Sequence, residues 1–399
     1  MLVIAAPGQG AQAPGFLAPW LDLPGVTGLL AAWSDLAGCD LIRFGTTAGA
    51  EEITDTAVAQ PLLVAAAIVA AEVLGGGGLG QIRREAGIAA GHSVGELAAG
   101  AVAGVLSPED AMRLVGVRGR AMAKAAAAEA TGMTAVLGGD TGEVLGALTA
   151  HGLTPANVNG AGQIVAAGTM AQLDALAAGP PAGARLRPLP VAGAFHTAHM
   201  APAVDALRDA AASVAVRDPA IALLSNADGA VVTSGCDWLE RIVTQVSAPV
   251  RWDECMRTMA SFGASALIEL PPAGTLAGLA RRALPDVARA VLRTPDDLDA
   301  ARALLAEHGA PEHHDSGHLP DWRLVVSPAG GTFRAGGAAQ DAAPGAHVKP
   351  GAALGHVQAR SGAEPVTLDF PAVVLEWLVE DGDPVAAGQP LVRLQPEAA

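Results

Sequence analysis

The sequence predicts an α/β body with a smaller βαββαβ subdomain inserted into it, followed by a small C-terminal β-barrel. Three observations carry this expectation. Short apolar runs ending in glycine turns alternate with longer apolar stretches of helical length. Between Met133 and Val191 the pattern becomes strand, helix, strand, strand, helix, strand, as in ferredoxin-like units. Near the C-terminus, Gly345, Val348, Gly351, Leu354 and Val357 share their spacing with Gly382, Val385, Gly388, Leu391 and Leu394, an internal repeat of short strands and glycine turns.

The elements follow in order. Leu2–Ala6 is a short buried strand, broken by the glycine turn Pro7–Gln12. Thr56–Leu74 is apolar enough for a buried helix, and Gly75–Gly78 end it. Gly87–Ala90 is a second short strand leading into Gly91-His92-Ser93-Val94-Gly95, with a small-faced helix after it. Ser107 as N-cap, Pro108 in the first turn and Asp110 three residues after the cap open the helix that carries Arg118. The inserted unit has strands at Met133–Gly138, Ala156–Asn159, Gln163–Ala167 and Arg185–Val191, with helices at Thr141–Ala150 and Ala171–Ala178. The body resumes near Met200, with a strand at Ala266–Leu270 and a helix at Thr275–Ala283. The boundaries are therefore 1–124 and 200–293 for the body, 125–199 for the insertion, 294–321 for a linker and 322–399 for the β-domain. His308, His313, His314 and His318 fall in the linker among glycine, proline and acids. No ordered elements flank them to fix a coordination geometry, so no metal site is expected.

Composition narrows the function. Of 399 residues, 51% are hydrophobic, yet tyrosine is absent and alanine and glycine dominate, which favours thin, closely packed helices over an aromatic-filled core. The formal net charge is −16 and the only lysines are Lys124 and Lys349, so nucleic acid is not expected as a partner. The longest apolar stretch, Leu62–Ala71, is closed by Glu72 and falls short of the roughly 18–20 residues that span a bilayer. Three cysteines, Cys39, Cys236 and Cys255, form no C-x-x-C pair and fit a reducing compartment, so a cytoplasmic protein is expected.

Gly91–Gly95 matches G-x-S-x-G. At a sharp strand-to-helix turn, glycines remove the clash and the Ser93 hydroxyl stands exposed at a helix N-terminus. The amide of Val94 then points where an oxyanion forms. An ordinary tight turn in a glycine-rich chain is the competing reading. A serine nucleophile needs a base. His92 is tied to the elbow and poorly placed for that. His151 sits at a helix end, and the histidines after residue 306 lie in the linker or tail. His196, in Gly-Ala-Phe-His-Thr, stands where the insertion rejoins the body and can face a cleft, against the reading of a satisfied structural histidine. The Pro7–Gln12 loop lies at the carboxyl end of a strand, where open α/β sheets place their sites. Arg118, in the apolar stretch Met112–Met122, is either a snorkelling side chain or a bidentate partner for a substrate carboxylate.

Together these segments resemble the malonyl-CoA:acyl carrier protein transacylases of fatty-acid and polyketide synthesis. The resemblance covers about residues 1–293. It rests on Pro-Gly-Gln-Gly-Ala-Gln (7–12), Gly-His-Ser-Val-Gly-Glu (91–96), Val-Arg-Gly-Arg-Ala-Met (117–122), Asn159 to Gly168, Ala-Phe-His (194–196), Pro-Val-Arg-Trp (249–252) and Glu-Leu-Pro-Pro-Ala-Gly-Thr-Leu (269–276). It implies a hydrolase-like α/β body and ping-pong transfer of malonyl from malonyl-CoA to the phosphopantetheine thiol of acyl carrier protein. Ser93 is then the nucleophile, His196 the base, and the amides of Gln9 and Val94 the oxyanion hole. Arg118 pairs with the malonyl carboxylate, with Phe195, His92 and Asn159 also among the substrate-binding residues. No carboxylate completes a triad; a backbone carbonyl orients the histidine, and Arg251 is assigned that position. Phe195 and Val94 match the form that selects malonyl over methylmalonyl. Arg185 and Arg187, on the last strand of the insertion, are candidates for phosphate or carrier-protein contacts.

The tail resembles biotinyl/lipoyl-carrier domains. Ser361 stands where their modified lysine belongs, and Lys349 lies in a different turn, so neither biotin nor lipoate is expected. Coenzyme A enters only as the substrate thioester, with no covalently bound cofactor. The rival readings are a serine esterase using the same elbow, a non-catalytic scaffold against which the presence of both Ser93 and His196 speaks, and a free-standing acyltransferase of polyketide synthesis.

Overall fold

A computed structural model describes residues 1–191, 193–309, 323–336, 346–359, 362–368 and 370–396. The chain forms two compact units, Met1–Glu312 and His313–Ala399.

The first unit is built on a six-stranded sheet in the order Ala288–Val291, Ala266–Glu269, Leu2–Ala6, Ile88–Gly91, Ala222–Leu224, Val231–Val232. All neighbours are parallel except the last pair. The central strand is buried along its whole length because both faces are covered. Leu2, Ile4 and Ala6 enter one core and Val3 and Ala5 the other, as strand alternation requires. Ala6 is in register with Gly91, so the Pro7–Gln12 loop and the serine turn leave the sheet side by side.

Two long helices support the larger core. Thr56–Leu74 starts at Asp55, whose side chain accepts from the Ala57 amide, and stops at Gly75. It is long and apolar enough to cross a bilayer, which departs from the sequence reading, but 78% of its apolar window is buried within the fold. Pro108–Ala126 begins as expected, with Ser107 accepting from the Asp110 amide at 3.0 Å. The two helices pack closely at Gly119, where a Cβ would meet the Thr56 carbonyl at 3.0 Å. Few aromatics are present, yet Trp20, Trp33, Trp238 and Trp252 are all fully buried, so the core uses more aromatic volume than composition suggests.

The inserted unit has the expected order of elements. Its strands Thr131–Gly138, Thr154–Gly160, Gln163–Thr169 and Ala184–Pro188 surround helices Thr141–Ala150 and Met170–Ala178. The sheet order is Ala184–Pro188, Thr131–Gly138, Gln163–Thr169, Thr154–Gly160, and Val250–Arg251 of the body adds a fifth strand beside Thr154–Gly160. That added strand joins the insertion to the body. The expected linker from 294 to 321 is corrected in its first half. Leu298–His308 is a helix of the first unit, and its Leu298, Ala301 and Leu305 are buried in the larger core. His308 is anchored there, with Nδ1 3.1 Å from Ser265 Oγ. His313, His314 and His318 lie outside the described residues.

The second unit consists of two antiparallel sheets. One runs Arg323–Val326, Pro390–Pro396, Ala372–Trp377, His347–Val348, and the other Gly362–Thr367, Ala353–Ala359, Gly331–Ala335, Pro384–Val385. Phe333, Val357, Val374 and Leu394 share one core between them. The expected barrel is therefore corrected: the sheets are separate. Among the described residues no strand of one sheet pairs with a strand of the other. Arg360 and Ser361, in the hairpin compared with a carrier lysine, lie outside the described residues.

Candidate active site

Ser93 sits at the end of the strand Ile88–Gly91 and just before the helix Gly95–Ala103. Its φ is +54°, in the left-handed region that side-chain-bearing residues rarely adopt. The flanking glycines permit this turn through close approach. A Cβ on Gly91 would meet the Gly95 carbonyl carbon at 2.0 Å, and one on Gly95 would meet the Ala6 oxygen at 2.3 Å. The strained backbone is held by Asn226, whose Oδ1 accepts from the Ser93 amide at 2.7 Å and whose Nδ2 donates to the Gly91 carbonyl at 2.8 Å.

His196 closes the site from the insertion's second crossing to the body. Its backbone is also left-handed, with φ +61°. Nε2 lies 2.7 Å from Ser93 Oγ and Nδ1 lies 2.9 Å from the Gln245 carbonyl oxygen. A carbonyl only accepts, so Nδ1 carries the proton and the Nε2 lone pair faces the serine hydroxyl. Burial, and next the Arg118 charge, push the His196 ring down to about 3, so it rests neutral. The orienting carbonyl belongs to Gln245, which corrects the assignment to Arg251. The helix Gly235–Gln245 ends against His196, whereas the Arg251 guanidinium is occupied by Asp253 and Glu254 and its amide donates to the Asn226 carbonyl.

Arg118 is 2% exposed. Its Nη1 donates to Gln60 Oε1 at 2.7 Å, and its Nη2 faces Gln245 Oε1 at 3.1 Å and Ser93 Oγ at 3.3 Å. Burial lowers the guanidinium to about 10, and it stays charged at neutral pH. A fixed cation thus stands beside the hydroxyl, with uncharged partners on every bond.

A cavity of about 220 Å³ opens over Ser93 and His196, with Arg118 behind its wall rather than on it. Gln9, His92, Ser93, Val94, Asn159, Phe195 and His196 all line it. His92 Nε2 lies 2.9 Å from Asn159 Oδ1, and its ring leans on Trp252. Gln9 is fixed through its side chain, which donates to the Thr54 carbonyl at 3.2 Å. Arg185 and Arg187 are exposed on the insertion's edge strand and do not line the cavity. No cluster of metal-ligating side chains occurs among the described residues.

Sequence reasoning missed Gln60, Asn226 and Gln245. Gln60 had a readable signal, as the one amide in the apolar helix Thr56–Leu74. Asn226 and Gln245 had none, since each matters through one bond made across the fold.

The acyl transferase domain family matches residues 7–312. The malonyl CoA-acyl carrier protein transacylase of Mycobacterium tuberculosis is 53% identical over 305 residues, 75% of this chain and 98% of that protein. The crystal structure of MCAT from Mycobacterium tuberculosis is similar with a TM-score of 0.73 at 52% identity, over 75% of this chain and 99% of that one. A malonyl-transacylase solved in complex with the acyl-carrier protein of a type II polyketide synthase has a TM-score of 0.69 at 29% identity, over 76% of this chain and 99% of that one. Identity of this extent over a shared fold makes the assignment direct: the chain belongs to the acyl transferase family, among the malonyl CoA-acyl carrier protein transacylases.

Proposed function

We propose that this protein transfers malonyl from malonyl-CoA to the phosphopantetheine thiol of acyl carrier protein through a malonyl-Ser93 intermediate. The observation that carries the reading is the relay from Ser93 Oγ through the His196 ring to the Gln245 carbonyl, with Arg118 3.3 Å from the same hydroxyl. His196 takes the Ser93 proton as the oxygen attacks the thioester carbonyl. The Val94 amide, at the N-terminus of the helix Gly95–Ala103, and the Gln9 amide receive the oxyanion. The tetrahedral intermediate collapses, His196 returns the proton to the coenzyme A thiolate, and the carrier thiol then repeats the steps in reverse sense. Arg118 selects the acyl group by pairing with its free carboxylate, a demand a simple esterase does not make. Phe195 and Val94 crowd an α-methyl group and favour malonyl over methylmalonyl. His92 and Asn159 complete the pocket wall.

In this reading the enzyme works in the cytoplasm, consistent with three free cysteines, and the C-terminal unit carries neither biotin nor lipoate. Intact-mass measurement after mixing with malonyl-CoA tests the malonyl-Ser93 step and the cofactor reading. A malonyl adduct on wild type and none on Ser93→Ala supports the mechanism. An adduct that survives Ser93→Ala overturns it, and a biotinyl or lipoyl mass on the purified chain overturns the cofactor reading.

A further inference from the structure

One buried carboxylate, Glu96, has no part in the chemistry above, yet it touches every arm of the site. It is 2% exposed, one residue past the elbow on the helix Gly95–Ala103. Its Oε1 accepts from the Asn226 amide at 2.8 Å, and its Oε2 accepts at 2.6 Å from Gln245 Nε2, which also makes a longer bond of 3.3 Å to Asn226 Oδ1. Asn226 holds the strained Ser93 amide. Gln245 presents its carbonyl to His196 and its Oε1 to Arg118.

We infer that Glu96 is a positioning residue that sets acyl selectivity: by fixing which way the Gln245 amide faces, it keeps an acceptor on Arg118 and so aims the guanidinium at the acyl carboxylate. This rests on the functional reading above. The direction of the chain is forced. Arg118 has only donors, so the group facing it must be an acceptor. Gln245 then turns its NH2 away, and that NH2 needs an acceptor in turn. Both Glu96 oxygens accept, which is the bonding of a carboxylate. Burial pushes the Glu96 carboxyl up to about 8 against the pull of the Asn226 bond and the Arg118 charge, so it is the two accepting oxygens that mark the carboxylate form here.

Glu96→Gln cuts the Gln245 arm, together with the longer 3.3 Å bond from Gln245 Nε2 to Asn226 Oδ1, and leaves the 2.7 Å Ser93 amide bond to Asn226 in place. The Asn226 amide is backbone and cannot turn away, so the new amide oxygen stays there and the Ser93 arm is kept. The new NH2 must face Gln245, whose amide flips and offers a donor to Arg118. A lost hydrogen bond to a charged group corresponds to about a tenfold to hundredfold loss. The expected result is a fall of that size in kcat/KM for malonyl-CoA, carried by KM, with acetyl-CoA loading unchanged. Equal losses for both thioesters indicate a merely structural role and overturn the inference, as does an unchanged malonyl-to-acetyl ratio. Should Glu96→Gln fail to fold, Gln245→Met cuts the same relay and keeps the backbone carbonyl on His196. It is expected to lower the malonyl-to-acetyl ratio as well, and an unchanged ratio there is equally fatal. Wild type run alongside separates the two readings: without malonyl on its Ser93 the functional proposal fails, whereas a normally loaded wild type beside an indifferent Glu96→Gln sinks only this inference.

Discussion

Replacing Arg118 by methionine isolates the charge that chooses the acyl group. The side chain is 2% exposed and its partners, Gln60, Gln245 and Ser93, are uncharged. Burial has lowered the guanidinium from 12.5 to about 10, so holding the cation costs the fold about 3 kcal/mol at 1.36 kcal/mol per pH unit. Methionine removes that cost but leaves the Gln60 and Gln245 oxygens without a donor, at about 1–3 kcal/mol each. The terms nearly cancel, and the melting temperature should move little. Binding has no such offset. Losing one partner of a desolvated ion pair costs about 2–5 kcal/mol, which is roughly 30-fold to several thousandfold in kcat/KM. Acetyl-CoA has no carboxylate to lose. Loading of Ser93, followed by intact mass with each thioester, should therefore show malonyl falling by that factor while acetyl holds or rises. A parallel fall for both, or unimpaired malonyl loading, refutes the assignment of Arg118 to the carboxylate.

Four further outcomes are expected. Gly95→Ala puts a Cβ 2.3 Å from the Ala6 oxygen, a backbone atom that cannot step aside, so loading should be lost and the melting temperature lowered, read by adduct formation and calorimetry. Because His196 is held down to about 3, Ser93 malonylation should stay flat as pH drops through about 6.5, and a half-fall near that value in single-turnover loading contradicts the buried neutral base. The same depression means that its contribution to stability is present above about 6.5 and is lost as pH falls toward 3, visible as a falling denaturation midpoint in acid. A chain ending at Glu312 keeps every group of the site and spans the region shared with relatives, so its kcat/KM for malonyl-CoA should match the full chain; a large loss would give the C-terminal unit a catalytic share.

What sequence made legible was whatever depends on local chain geometry. The elbow is legible because a left-handed serine between two crowded backbones needs glycine on both sides, and Gly91 and Gly95 write that need into five residues. The helix start at Ser107 and the four strands of the insertion depend on nearest neighbours in the same way. The histidine's partner was not legible, because a backbone carbonyl carries no residue identity. The resemblance assigns it to Arg251, whose side chain is committed to Asp253 and Glu254, while the working oxygen ends a helix several residues earlier. The linker was misplaced for another reason. Leu298, Ala301 and Leu305 form a modest apolar stripe that shows its worth only against the body's core.

The C-terminal repeat separates what a pattern can specify from what it cannot. Val348, Leu354 and Val357 match Val385, Leu391 and Leu394, and all six are buried. Gly351 and Gly388 match in φ as well, at +81° and +79°, so the same glycine turn recurs in both copies. Spacing specifies this much because burial and backbone hand are local demands. Pairing is different. His347–Val348 pairs with Ala372–Trp377 of the other copy, and Pro384–Val385 pairs back with Gly331–Ala335. Arg323–Val326 crosses as well, pairing with Pro390–Pro396, so the two halves interlock through an exchange that neither half encodes alone. Apolar spacing fits a closed barrel and this exchanged pair of sheets equally well, since both bury the same side chains. What decides between them is which edge strands pair, and that is set across the fold rather than by the spacing within either half.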